Sequence, residues 1–262
     1  MSPKNSSHKS SLFLLSVTTI ALILSSAFGQ NAVRSPSDTV REFYKAMRER
    51  KFREAFAMSI YKPAIDGLKT EEFEDLRPDF EKMAIVVSEK FPDKVDITGE
   101  QISGDTATVF VRILDSEGKE KIEPATLTKI NDSWILGDRE NQELVKKAGK
   151  QFFFEARVNA HHSDVQDMLT RISLAEVVYN QQHNGQYGNM AELITAGLVP
   201  KDLEGTESTG YTFHITRSAD GKTWHATAEP AQYGRTGRLS FFLDQAGAKS
   251  GDVAGKPLPI KN

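Results

Sequence analysis

Isolated carboxylates and histidines are the groups of this chain that could do chemistry. The chain has no cysteine, which excludes disulfides, thiolate metal ligands and thiol nucleophiles. Residues 35–138 also lack histidine, so Asp66, Asp79 and Asp96 are the candidate general bases there. Their neighbours are Pro, Gly, Lys and Glu, residues typical of a protein surface. We therefore expect solvated aspartates and assign no catalytic residue.

Two histidines are predicted to lie diagonally across a β-hairpin. A tight turn at residues 220–221 would pair Ile215 with Ala226, so that the apolar residues of both strands lie on the same face of the hairpin. The same register places His214 and His225 on the polar face, about 7 to 8 Å apart at the backbone. Zinc usually takes four ligands, so we predict a solvated face and no metal site.

The N-terminal segment is typical of a secretory signal. Lys4 and Lys9 precede an apolar run over residues 12–24, and small residues end at Gly29. We expect residues 1–29 to be removed and the protein to reach the periplasm or the extracellular space, with no stable membrane insertion afterwards. An uncleaved anchor is the alternative, which the serines and threonines of the segment disfavour.

The charge of the chain argues against nucleic acid as a partner. The net charge is −3, and loss of residues 1–29 would remove two lysines and no acidic residue, leaving −5. A mildly acidic surface of mixed sign indicates solubility rather than attraction to a polyanion. No nucleotide-binding loop or cluster of metal ligands stands out, so we expect no cofactor and, as partners, envelope or secreted proteins.

Residues 35–138 are predicted to form three helices followed by a curved antiparallel sheet, together a cone. Ser35 is a candidate N-cap with Pro36 at the first helical position. Pro78 should kink or split the third helix. From Val95 the apolar residues recur at every second position, which is the period of a strand.

Four aromatic residues of this cone could line a pocket for a small apolar molecule. They are Tyr44, Phe80, Phe110 and Trp134. The alternative is that they are ordinary core residues, as buried aromatic side chains often are.

The second half is predicted to be a long helix packed on a small antiparallel sheet. Residues 139–151 are rich in helix formers and predict a helical connector. The run from Phe152 through Phe153 to Phe154 indicates either a buried seam between two domains or an exposed patch for a partner.

The remaining boundaries follow from capping and turn residues. Ser163 and Asp164 could cap the long helix, and Asn189 with Glu192 predicts a capping box before a short one. The second domain then covers residues 152–248. A loose tail follows over residues 249–262, where Gly, Pro and Lys dominate. The fold class is α+β, with two domains.

The first domain resembles nuclear transport factor two-like (cystatin-like) proteins. The resemblance rests on SPSDTVREFYKAMRERKFREAFAMS at its start and KINDSWILGD at its end, and it covers residues 35–138. Families of this fold include isomerases and dehydratases as well as ligand carriers and interaction modules, so the resemblance implies a fold and leaves function open.

The second domain resembles the globular head of type IV pilin-like and pseudopilin-like proteins. The residues that carry this resemblance are RISLAEVVYNQQHNGQYGNMAELITAGLVP, the strand from Gly210 to Phe213, and TGRLSFFLDQAG; it covers residues 157–248. The apolar membrane-inserted half of a pilin helix is absent here, and the first domain stands in its place.

The function predicted from these observations is that of a non-catalytic exported bacterial protein, an interaction or assembly module. The alternatives are a binder of a small apolar molecule in the cone, a minor pseudopilin-like secretion component, and an isomerase or hydrolase of the cone fold.

Overall fold

The computed structural model describes residues 34–91, 94–206 and 209–259. The predicted signal, residues 1–29, lies outside the described residues. The described part has an α+β fold, in which helices pack on two four-stranded antiparallel sheets. Each sheet is a simple meander, with strand orders β1-β2-β3-β4 and β5-β6-β7-β8.

The first half contains four helices and then one sheet. Its elements are α1 (Pro36–Arg48), α2 (Phe52–Ala57), α3 (Lys62–Asp66), α4 (Thr70–Lys90), β1 (Asp96–Ser103), β2 (Thr106–Leu114), β3 (Glu120–Ile130) and β4 (Ser133–Leu136). The predicted N-cap is confirmed, because the Ser35 hydroxyl accepts a hydrogen bond from the Asp38 N–H at 3.0 Å. The short helix α3 was not predicted.

Helix α4 continues through Pro78, so of the two predicted effects, a kink or a split, the split does not occur. Pro78 has no N–H and cannot donate to the carbonyl one turn earlier. Phe73, Leu76 and Phe80 are all buried on the same side of α4. Their packing holds the two parts of the helix in one continuous element.

The second half contains three helices and the other sheet. Its elements are α5 (Arg139–Ala148), α6 (Phe152–Gln182), α7 (Met190–Thr195), β5 (Tyr211–Arg217), β6 (Trp224–Pro230), β7 (Leu239–Asp244) and β8 (Gly247–Asp252), with 3₁₀ turns at Gly149–Gln151 and Lys201–Glu204. The capping box before α7 and the hairpin register are confirmed, with Ile215 opposite Ala226.

Helix α6 begins at Phe152, so Ser163 and Asp164 do not cap a helix as predicted. The 31 residues of α6 contain neither proline nor glycine, and nothing in the sequence interrupts its backbone hydrogen bonds. The Ser163 hydroxyl instead donates to the carbonyl of Asn159, one turn earlier in the same helix, at 3.4 Å.

The prediction of a loose tail over residues 249–262 is wrong for its first residues. Strand β8 extends to Asp252, and Lys249 pairs with Phe242 of β7. Gly251 lies opposite Ser240 in the same ladder. Sheet pairing therefore orders the first residues of the segment that composition alone marked as loose. No described helix has the length and apolar character needed to cross a membrane.

Candidate functional site

The four predicted pocket residues do not share a cavity. Phe80 is fully buried and packs against Phe52, Phe56 and Phe153 of the helical core. Phe110 lies on the opposite face of β2 from the buried residues at 109 and 111, with its ring near Gly99.

Tyr44 and Trp134 lie at the edges of the core between α1 and the first sheet. The centres of the Tyr44 and Phe91 rings are 4.5 Å apart. Trp134 of β4 lies opposite Lys129 of β3 and packs against the core of the first sheet. The interior of the cone is filled by buried side chains, among them Val109 and Leu127. Tyr44, Phe80 and Trp134 therefore pack in or against the core, whereas Phe110 lies on the other face of the sheet.

Residues 152–154 were predicted to be either a buried seam or an exposed partner patch, and the structure buries them. Phe153 and Phe154 belong to the same core cluster as Phe56 and Phe80, with the Phe153 and Phe56 rings 5.2 Å apart. Phe152 is half-buried and packs on this cluster. The run thus fills the core of the first half, because α6 begins there, and it is not an exposed patch.

The three candidate aspartates form ion pairs. Asp66 pairs with Lys62 in α3, and Asp96 pairs with Arg112 at 2.9 Å across β1 and β2. Asp79 accepts a hydrogen bond from Arg157 of α6 at 2.7 Å. The carboxylates face different cations in different places and do not converge.

A groove of about 450 Å³ lies between α6 and the edge of the second sheet. Its lining comes from one side of α6, from β7 and from β8: Gln166, Leu169, Thr170, Ser173, Phe241, Leu243, Ala248, Lys249 and Ser250. Lys249 is the only one of these residues with an ionisable side chain. The lining is therefore nearly neutral, with buried apolar residues at its base.

The groove exists because β8 carries small residues. Phe241 and Leu243 of β7 point towards α6 and are buried. Their partners on β8, Ser250 and Ala248, lie on the same face of the sheet but are too short to reach the helix. Since α6 packs on β6 and β7, the space above β8 remains open.

The outer face of α6 is apolar beside this groove. Leu174 and Val177 are 64% and 50% exposed, and Val178 is 36% exposed. Spacings of three and four residues place them on one helical face, opposite the buried Ile172 and Ala175. Val177 lies one turn beyond Ser173, so the apolar face continues the wall of the groove.

An ionic junction holds α6 against the first half. The Arg157 side chain is only 8% exposed; it pairs with Asp79 at 2.7 Å and with Asp75 at 3.0 Å, both on α4. Arg235, in the segment between β6 and β7, lies over the Phe154 ring at 4.0 Å and approaches Glu72 and Asp75. The junction therefore connects three elements from the two halves.

His162 fixes the same β6–β7 segment onto α6. Its Nε2 atom accepts hydrogen bonds from the backbone N–H groups of Arg238 at 3.1 Å and Leu239 at 3.3 Å. Burial, and then the positive charges of His161 and Arg238, lower the pKa of His162. The neutral ring is the form that fits this position, because a proton on Nε2 would face two donors.

Glu176 carries a buried carboxyl group on α6, three residues after Ser173 of the groove. Its Oε2 atom accepts a hydrogen bond from the Gly188 N–H at 2.8 Å, and its Oε1 atom has no partner among the described residues. Burial and, to a smaller extent, the charge of Glu192 raise the pKa of Glu176 to about 7. Arg217 and the bond from Gly188 oppose this shift.

The groove and the apolar outer face of α6 were not predicted from the sequence. A signal was present, because residues 172–179 are apolar on both sides of the helix rather than on one stripe. The small residues at alternate positions of β8 were a second signal, which the assignment of residues 249–262 to a tail concealed.

Comparison with known proteins gives two similarities. The family model described as a domain of unknown function (DUF4878) matches residues 26–137, less than half of the chain. This match extends over α1–α4 and the first sheet and ends before α5. No curated protein matches the chain.

One solved structure aligns with part of the chain. It is a crystal structure from Campylobacter jejuni described as a "putative NTF2-like transpeptidase". The alignment covers 39% of this chain and 96% of that chain, with 14% identity and a TM-score of 0.29. At this TM-score the similarity supports no argument about chemistry. The resemblance of residues 157–248 to pilin heads stays a prediction.

Proposed function

We propose that this chain is a non-catalytic exported protein that binds an envelope or secreted protein through the outer face of α6 and the groove beside it. The observation that carries this proposal is the exposure of Leu174 and Val177 on a helix whose other face is buried in the second core. Export rests on the sequence of residues 1–29 alone.

The composition of this surface supports protein binding. A helix that is apolar all round is normally buried, and residues 172–179 are apolar on both faces of α6. The centres of protein interfaces are depleted in charge, and the groove has Lys249 as its one ionisable lining residue. A partner that covers Leu174 and Val177 would remove apolar surface from water, which favours association.

The second candidate is a minor pseudopilin-like component of a secretion system. A 31-residue helix packed on a four-stranded antiparallel meander favours it, since this is the architecture expected of a pilin-like head. In this role the outer face of α6 would contact a neighbouring subunit. It predicts that the protein co-purifies with pilins and that its deletion impairs secretion.

The other predicted roles are not favoured by the packing. A small apolar ligand in the cone would have to displace buried side chains such as Val109 and Leu127. An isomerase or hydrolase would need a carboxylate free to act as a base in a pocket, whereas Asp66 and Asp79 are ion-paired with basic side chains. Asp96 borders two surface grooves, but its carboxylate is paired with Arg112.

Photo-crosslinking in the native envelope tests the proposal. A photoreactive amino acid replaces Val177 in one variant and Lys119, in the turn between β2 and β3, in the control. We expect one defined crosslinked product with the Val177 variant and none with the Lys119 variant. Equal labelling at both positions, or none at either, would reject the proposal.

A further inference from the structure

The outer edge of β8 is open, and the backbone pattern shows which groups are free. In the first hairpin of the second sheet the Ser218 N–H donates to the Thr223 carbonyl at 2.9 Å. Hydrogen-bonded pairs alternate along antiparallel strands, so this bond fixes the pattern across all four strands. Residues 247, 249 and 251 then bond to β7, while Ala248 and Ser250 point their N–H and C=O groups outward.

Within the described part of the chain, the outward backbone groups of Ala248 and Ser250 have no hydrogen-bond partner. Among the described residues that follow β8, the Leu258 side chain lies beside Gly251, near the end of the strand. An edge with free donors and acceptors is a template for another strand. The open part coincides with the part of β8 that forms the base of the groove.

We propose that β8 accepts an extended peptide segment of a partner protein as a fifth strand of the second sheet. This inference rests on the proposed interaction function and names the chemistry of its partner. Backbone hydrogen bonds to Ala248 and Ser250 would supply affinity, and pockets for alternate side chains would supply specificity.

The groove defines the side chains of that segment. Ala248 and Ser250 face α6, so the partner residues opposite them enter the groove and meet Leu169, Phe241 and Leu243. These partner residues must be apolar.

The partner residue between these two apolar residues points to the other face of the sheet. There the Lys249 ammonium lies 6.0 Å from the centre of the Phe242 ring. An acidic residue suits that position, since on this face it would lie beside the Lys249 ammonium. The partner segment is therefore extended, apolar at every second position and acidic between.

A defined peptide tests this proposal. The probe is a fluorescent peptide of about eight residues, the length of an ordinary strand, with valine alternating with glutamate or threonine. Its dissociation constant for the mature protein is measured by fluorescence anisotropy. The same peptide with N-methyl groups on alternate backbone nitrogens keeps its side chains and loses the donors that would pair with β8.

Two substitutions at one position provide the matched pair. Ser250→Pro removes the outward N–H and leaves the bonds to β7, because a proline is tolerated on the free side of an edge strand. Ser250→Ala keeps the N–H. We expect Ser250→Ala to bind like the parent protein, whereas Ser250→Pro and the N-methylated peptide weaken binding by about ten-fold or more.

The outcomes separate this inference from the proposed function. Equal binding of both peptides would overturn strand addition even if Val177 still crosslinks to a partner. Concentration-dependent dimers that Ser250→Pro abolishes would overturn it in favour of a second copy of this chain. If Ser250→Pro fails to fold, binding of the unmodified and the N-methylated peptide to the parent protein decides whether strand addition occurs. Peptide binding that depends on β8, with no crosslinked partner in the envelope, would support the inference and reject the proposed function.

Discussion

Glu176 gives the molecule a pH dependence that can be measured. Its pKa is about 7 in the folded protein, and 4.5 is its ordinary value. A raised carboxyl pKa means that the protonated form is favoured by folding. This contribution is fully present below pH 4.5 and is lost as the pH rises through about 7. From the size of the shift, the loss amounts to about 3 kcal/mol.

We therefore predict that Glu176→Gln raises the free energy of unfolding at pH 8.5 by about 2 to 3 kcal/mol and leaves it nearly unchanged at pH 4.5. The glutamine oxygen can still accept the Gly188 N–H. Urea denaturation at the two pH values measures the effect, and Glu143→Gln, at an exposed position, is the control. A Glu176→Gln variant that is equally destabilised at both values would contradict this account.

His162 makes the free energy of unfolding depend on pH with the opposite sign. Its pKa is lowered, so its contribution to stability is fully present above its ordinary value of 6.5 and is lost as the pH falls below that value. We predict that His162→Gln removes this acid-side loss, because the glutamine oxygen accepts hydrogen bonds and does not titrate.

The measurement is the pH profile of stability between pH 5 and 7. His214→Gln, at an exposed position of β5, serves as the control. A profile of His162→Gln that keeps the slope of the parent protein would show that the two hydrogen bonds to Nε2 do not set it.

At the scale of elements, Arg157 links α4 and α6 through ion pairs. Its guanidinium is nearly buried and bonds to Asp75 and Asp79. We predict that Arg157→Met lowers the free energy of unfolding by about 2 kcal/mol, since hydrogen bonds between charged groups are lost. Asp79 is left without its cation, and Asp75 keeps only the more distant Arg235. Lys146→Met, which breaks an exposed pair with Glu143, should cost less than about 0.5 kcal/mol. Chemical denaturation that finds equal costs would contradict a structural role for the junction.

Local rules predicted the elements whose signals are local. The cap at Ser35, the capping box at Asn189 and the hairpin turn at residues 220–221 depend on neighbouring residues, and the structure confirms them. Helices α4 and α6 run through Pro78 and Ser163, because tertiary packing and helix continuity outweigh a local helix-breaking or capping preference. The residues of β8 could not be predicted as a strand, since pairing with β7 rather than composition orders them.

The candidate site was harder to predict than the fold. The groove depends on which strand lies at the edge and on where α6 crosses the sheet, and neither is a local property of the sequence. The run at residues 152–154 shows the same limit, because its burial depends on Phe56 and Phe80, which lie far away in the chain.

At the scale of the whole molecule, the first turns of α6 complete the core of the first half. Phe153 and Phe154 pack with Phe56 and Phe80, and Val145 of α5 joins the same cluster. A chain that ends at residue 138 would expose this surface. We predict that residues 34–138 alone show no cooperative thermal transition, whereas residues 34–162 do. A cooperative transition of the shorter chain, followed by circular dichroism, would show that its core does not need α6.

The central claim is that the outer face of α6 binds a partner. The most direct test is co-purification from the native envelope with tagged parent protein, Val177→Glu and Lys119→Glu. A buried glutamate at the interface would be desolvated, so we predict that Val177→Glu loses the partner that the parent and Lys119→Glu both retain. Circular dichroism must show that the parent protein and both variants are folded. Retention of the same partner by Val177→Glu, at the level of the parent, would contradict the account.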